Sequence, residues 1–253
     1  MTSPIDPVPA ASAWPWIWFE PHQDDALLWA GQIAAHHGLV GRELHIVSAS
    51  DGSASKVHGE LNGEQASSWW PGSWHYPAPG HEGYGPLTLS EFVAARDREM
   101  INAYAQLGVT QENIHLELDT RGMTLTVPQA TALIRRYADQ HPTAGLYTTH
   151  WTDPDPEHAA LGTALRQLAL AEPDKFKDCR WVIRRSQIGT VAGSTEYVVP
   201  PAYRAQALRM TKCAAKAFAA WSPPYTYAIG PHSVSADFAA VEAGQANWIV
   251  RNP

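Results

Sequence analysis

The stretch Pro21-His22-Gln23-Asp24-Asp25 follows a short apolar aromatic run, Trp16-Ile17-Trp18-Phe19, and precedes a helical pattern over residues 26–37. The run has the length and composition of a buried strand and the pattern that of its crossover helix, so an imidazole and two carboxylates fall where a βα turn opens. In an open α/β sheet, ligands bind outside the carboxyl ends of the strands, near the point where strand order reverses. His22 and Asp25 can close on one metal ion from a single turn, with Asp24 beside them as an unbound base. The competing reading of the same five residues is that Asp24 and Asp25 cap a helix, whose N-terminus favours carboxylates.

Working outward, Gly38 and Gly41 break the helical pattern, and residues 44–50 form a second strand ending at Asp51-Gly52-Ser53. Residues 54–88 carry no period but hold Trp69, Trp70, Trp74, Tyr76 and Tyr84. A loop of that length inside a domain is functional or disordered, and its aromatic content argues against disorder. Thr88 with Glu91 makes a capping box that opens a helix reaching Gly108, residues 113–118 read as a third strand, and Thr126 with Gln129 caps a helix running to about residue 140. Residues 145–149 are the fourth strand. They end at His150 and an Asp- and Pro-rich loop that leads into His158 and a helix through Ala171. A fifth strand over 180–186 and an Ala-rich helix over 202–221 follow, and the rest reads as irregular until about 236–243.

Strands alternating with helices predict an α/β fold, Rossmann-like and doubly wound. Its mostly parallel sheet has the order 3-2-1-4-5, helices on both faces and the long aromatic loop at the C-terminal edge. With no internal repeat and no linker, residues 1–253 read as a single domain, with a core over 15–190 and a C-terminal extension over 191–253. In this order the first and fourth strands are neighbours at the switch point. His22, Asp24 and Asp25 therefore face His150, Asp153, Asp155, Glu157 and His158. A ligand set of His22, Asp25 and His158 would leave a fourth position for water, the layout of a catalytic zinc site.

Composition narrows the partners. The 253 residues are 45% hydrophobic and 17% charged, with a formal charge of −7 and no run of Lys or Arg, which excludes a nucleic-acid footprint. The opening residues lack a basic n-region and no apolar stretch approaches the ~20 residues of a membrane span, so neither signal peptide nor anchor is expected. Cys179 and Cys213 have no CxxC spacing and read as buried thiols of a cytoplasmic protein.

Taken together, these motifs resemble the PIG-L or LmbE-like family of metal-dependent N-acetylglucosaminyl deacetylases. The family's first motif, Ala-His-Pro-Asp-Asp-Glu, stands here as Pro21-His22-Gln23-Asp24-Asp25-Ala26, with the core kept and both flanks changed. A second element stands as Arg96, Glu99, Ala103 and Leu107-Gly108-Val109, an acidic turn residue as Asp119, and the His-Pro-Asp-His motif as Asp155-Pro156-Glu157-His158. The resemblance spans roughly residues 16–190. It implies zinc, or another divalent first-row metal, held by His22, Asp25 and His158, with Asp24 as general base and with Arg96 and Asp119 holding sugar hydroxyls or stabilising the site. The implied reaction removes an N-acyl group from an amino sugar or glycosylated small molecule. The family's hydratase branch and a non-catalytic carbohydrate-binding relative are the alternatives.

Two expectations go beyond the motifs. The aromatic loop, with Trp69, Trp70 and Trp74, is expected to wall the substrate cleft, the competing role being core roof or contact in a homo-oligomer. Asp155 stands where the family places a histidine that stabilises the tetrahedral intermediate, and an ionised carboxylate would repel that developing charge. A relocated histidine is expected to take over as a catalytic group, His232 ahead of His150.

Overall fold

In the computed structural model, which describes residues 14–117, 119–120, 122 and 124–251, β1 is Trp16–Glu20 and every residue of it is buried. Buried on both faces, a strand reads as an unbroken apolar run rather than an alternating one, which is why this segment stands out in the sequence. Its alternate side chains divide the core. Trp16 and Trp18 pack into one hydrophobic cluster and Ile17 and Phe19 into another.

The first cluster lies under α1 (Asp25–Leu39), α3 (Leu89–Ala105), α6 (Pro201–Phe218) and α7 (Ile229–Ala243). The second is built with α4 (Val127–Gln140) and α5 (Pro156–Ala171). Among the described residues the sheet has seven strands. The parallel part, β3 (Ile114–Leu116), β2 (Leu44–Ser48), β1, β4 (Gly145–Thr149) and β5 (Cys179–Ile183), runs in the order 3-2-1-4-5. Both anticipated capping boxes are present, at Thr88 with Glu91 and at Thr126 with Gln129.

The structure departs from the sequence reading in three places. A short helix, α2 (Val57–Leu61), interrupts the aromatic loop, and Val57, Leu61, Tyr84 and Leu87 bury against Phe92, Tyr227 and Ile229. The tail is more regular than expected. Two short strands, β7 (Trp221–Ser222) and β8 (Thr226–Tyr227), form a hairpin before α7, and β9 (Trp248–Arg251) lies antiparallel between β5 and β6 (Thr195–Glu196). Of the two thiols only Cys179 is buried, whereas Cys213 on α6 is exposed, because it sits outside the apolar stripe of Ala207, Ala214, Ala215 and Phe218. No described helix is long and apolar enough to cross a membrane.

One glycine brings the two chemistry-bearing loops together. A Cβ on Gly162 of α5 would stand 2.5 Å from the Trp151 nitrogen and 2.6 Å from the Thr149 carbonyl oxygen. Only glycine lets α5 approach the end of β4 this closely, and that approach carries His158 toward the end of β1.

Candidate metal centre

The turn after β1 folds on itself. Asp24 occupies the N-cap position of α1 but makes no side-chain capping bond, which removes the capping role for it. Asp25 Oδ2 accepts the His22 backbone N–H at 3.0 Å. In the loop after the neighbouring β4, Asp155 is the N-cap of α5, accepting from the backbone N–H groups of Glu157 (2.9 Å) and His158 (3.4 Å).

The two loops meet as the sheet order requires. His22 Nδ1 is 3.0 Å from His158 Nε2 and 3.6 Å from Asp25 Oδ2, and His158 Nε2 is 3.4 Å from Asp25 Oδ2. A tetrahedral ion with ligands at about 2.0–2.1 Å needs donor atoms about 3.3 Å apart, so two imidazole nitrogens and one carboxylate oxygen fit such an ion. The His22 ring is also held from its other nitrogen, and the His158 ring has a carboxylate at 3.5 Å from its own. Glu157 Oε2 is 3.1 Å from His22 Nε2, and Glu157 Oε1 accepts the Leu125 N–H at 2.8 Å. An Asp153 carboxylate faces His158 Nδ1. Carboxylates in this position fix the tautomer and orientation of a ligating histidine.

The local charges favour a cation. Burial opposes a charge on the His22 ring, but the Asp25 and Glu157 carboxylates outweigh it and push its pKa up to about 10. Burial also works against ionised Asp25, and His158 and His22 overcome it and hold that carboxyl low. Asp24 goes the other way: burial and then the Asp25 charge push its carboxyl up. Two adjacent carboxylates thus differ in proton affinity, the condition for one to ligate and the other to move a proton.

Around this group lies a cleft of about 430 Å³ whose lining includes Trp29, Asp51, Arg96, Asp155, Arg184 and Ser233. Arg96 is 7% exposed and donates from Nη1 to the Gly52 carbonyl at 3.2 Å. Gly52 has φ +63°, and a Cβ there would stand 2.5 Å from the Arg96 Cζ, so the glycine makes room for the guanidinium. Arg184, one residue past β5, lies over the Trp29 ring at 5.2 Å. Sequence reasoning had absorbed it into the fifth strand, although its place at the carboxyl end of the strand beside β4 is the signal that marks it.

Of the residues singled out in the sequence, His22, Asp24, Asp25, Arg96 and His158 line this cleft together. Asp155 and Glu157 line it too, and the others lie elsewhere. Asp119 is 89% exposed in its side chain and 3.9 Å from Arg136, because its turn points it into solvent. Trp69 and Trp70 pack on His232, with ring centroids 4.7 and 5.9 Å away, and Trp70 also packs on Trp221. Trp74 lines a separate shallow depression with Tyr76. His232 is 1% exposed, and its ring is taken up by His75 and the Ala228 carbonyl. His150 bonds Thr152 at 2.8 Å and packs, tilted, on Trp151. Neither histidine is among the described residues that line the cleft. Among the described residues that line the cleft, Arg96 and Arg184 supply the guanidinium groups.

The chain belongs to the PIG-L family: the family's model, described as GlcNAc-PI de-N-acetylase, matches residues 17–169. A search of curated proteins found no match. Among solved structures, the chain is similar to a triple mutant of a deacetylase from the teicoplanin biosynthetic pathway, with TM-score 0.54, 15% identity and coverage of 94% of this chain and 98% of that one. It is also similar to the N,N'-diacetylchitobiose deacetylase of Pyrococcus horikoshii, with TM-score 0.53, 14% identity and coverage of 79% and 69%. A third similar structure is the 4-carboxy-2-hydroxymuconate hydratase of Pseudomonas putida, with TM-score 0.50, 15% identity and coverage of 94% and 95%. At these identities the likeness is one of fold.

Proposed function

We propose that this protein is a metal-dependent N-deacetylase that hydrolyses the acetamide of an amino sugar or of a glycosylated small molecule. The observation that carries the reading is the convergence of His22, Asp25 and His158 on one point with the higher-affinity carboxyl of Asp24 beside them. Family membership and the deacetylases among similar structures support a hydrolase acting on acetylated sugars.

His22, Asp25 and His158 would hold the ion, and zinc suits two nitrogens and one carboxylate. When bound, such an ion supplies Lewis acidity and an acidified water near neutral pH. The chain's own groups do the rest. Asp24 takes the proton of the attacking water and returns it to the departing amine nitrogen as the amide C–N bond breaks. Burial and the Asp25 charge raise its proton affinity toward the range that this exchange needs. Glu157 keeps the His22 ring in register, Asp153 places a carboxylate 3.5 Å from His158 Nδ1, and Trp29, at 5.0 Å from the His158 ring, keeps bulk water off that side.

A hydratase acting on a polyanionic substrate is the second reading, motivated by the third similar structure. The cleft charge disfavours it: Asp24, Asp25, Asp51, Asp155 and Glu157 line the space against Arg96 and Arg184, and like charges resist binding of a di- or tricarboxylate. The test is to load the purified chain with Zn²⁺ and incubate it with N-acetylated sugars, N-acetylated glycosides and unsaturated dicarboxylates. Release of a free amine supports the proposal, whereas hydration of the dicarboxylates alone would overturn it.

A further inference from the structure

Three titratable side chains run in series through the aromatic packing beside α7, outside the cleft. Glu82 Oε2 lies 2.9 Å from His75 Nδ1, His75 Nε2 lies 2.8 Å from His232 Nε2, and His232 Nδ1 lies 2.8 Å from the Ala228 carbonyl oxygen. Both imidazoles are buried under Trp70 and Trp221. Three hydrogen bonds in series need three hydrogens. Two neutral imidazoles carry two, and an ionised carboxylate carries none. The arrangement therefore holds one proton more than those groups supply.

Geometry says where that proton is. A carbonyl only accepts, so His232 Nδ1 carries a hydrogen. Burial disfavours a second one on that ring, pushing its pKa down to about 4, so Nε2 of His232 accepts and Nε2 of His75 donates. The third hydrogen is left between His75 Nδ1 and Glu82. The other charged or titratable groups that face this series are Glu60 of α2, which Lys56 pairs at 2.7 Å, and the Tyr84 hydroxyl.

We propose that the series from Glu82 through His75 and His232 to Ala228 is a proton-carrying tie that positions one wall of the cleft, with the three side chains as positioning residues. The wall is formed by Ser233 and Val234, which line the cleft directly after His232. Its backbone is irregular at both ends, with Ala228 in the left-handed region at φ 50° and Val234 at φ −139°, ψ 53° interrupting the helix. Helical hydrogen bonds alone do not fix such a segment. Glu99 holds its start by accepting the N–H groups of Tyr227 (2.6 Å) and Ile229 (2.9 Å), and the His232 ring clamps the turn to the aromatic loop. Without the third hydrogen, two lone pairs face each other at one contact and the clamp opens.

The experiment compares the full-length, metal-loaded protein with Glu82→Gln and Glu82→Ala. A glutamine amide donates to His75 Nδ1 and supplies the third hydrogen at every pH, whereas alanine supplies none. The melting temperature of Glu82→Ala should fall below that of Glu82→Gln by about 2 to 4 °C, the shift for one lost hydrogen bond in a chain of this size. Hydrogen exchange at the Ser233 and Val234 amides should be about tenfold faster in Glu82→Ala and unchanged in Glu82→Gln, a separation of one lost hydrogen bond. Equal melting temperatures for the two variants, or exchange at these amides that Glu82→Ala leaves unaltered, would overturn the proposal. Neither measurement requires turnover, so the outcome is independent of the proposed activity.

Discussion

Asp153 Oδ2 stands 3.5 Å from Nδ1 of His158, while Oδ1 of the same carboxylate accepts the Asp155 N–H at 2.9 Å and Nη1 of Arg184 at 3.3 Å. The carboxylate is thereby held in place from two sides and can hold the imidazole in turn. Asp153→Asn should weaken metal binding by about 10- to 100-fold, the usual effect of losing a carboxylate behind a ligating histidine. Calorimetric titration of Zn²⁺ into the metal-free protein measures it, and wild-type affinity in the variant would sever Asp153 from the metal site.

Asp24→Asn should retain the ion and lower turnover by about 10² to 10⁴. Metal content by mass spectrometry together with kcat separates this from loss of the site. Loss of the ion in parallel with activity would make Asp24 a ligand instead of the base.

Gly52→Ala tests the seat of Arg96. The left-handed φ alone should cost about 1 kcal/mol, and the new methyl would lie 2.5 Å from the guanidinium carbon. The expected result is a modestly lower melting temperature together with a raised KM. An unchanged KM would mean that Arg96 does not contact substrate.

Asp155→Ala should cost about 0.5 to 2 kcal/mol of stability, since it removes the N-cap of α5, and Asp155→Asn should cost much less. Denaturant unfolding of both variants decides it. Equal losses would show that charge, not capping, gives Asp155 its value.

Burial pushes the Glu99 carboxyl up to about 8, against the opposing pull of the Tyr227 and Ile229 N–H groups and of Arg96. A folded-state value above the unfolded one means that the folded protein binds the extra proton. The associated stability is full below about pH 4 and is lost as the pH rises toward about 8. From pH 5 to 8 the wild type should therefore lose on the order of 2 to 4 kcal/mol more than Glu99→Gln. Superimposable stability-against-pH curves would rule out the buried carboxylic acid.

Much of this was legible in the sequence because it is local. The β1–α1 turn, the two capping boxes and the alternation of strands and helices each rest on residues within a few positions of one another, and the right-handed crossover rule converts them into a strand order. That order brings His22 to His158 across 136 positions. What escaped was set by tertiary packing. The path of β9 along β5 carries no crossover helix to announce it, and its four residues are too short for a pattern. His232 turns into the aromatic cluster because of the left-handed backbone at Ala228, a conformation that an alanine does not advertise. Trp69 and Trp70 read in the sequence as a wall of the substrate cleft, whereas in the structure they pack on His232, because composition cannot say which surface a tryptophan packs on.

The outermost strands of the sheet are its shortest, three residues in β3 and two in β6. An edge strand offers unpaired backbone groups to any passing chain, and brevity is one way that proteins blunt this hazard. With so few rungs exposed at either end, two copies of this protein have little ladder on which to extend one sheet into another. Self-association, if it is found in solution, should therefore run through helices or through the exposed Trp74 and Tyr76, and the fold should resist growth into strand-swapped aggregates.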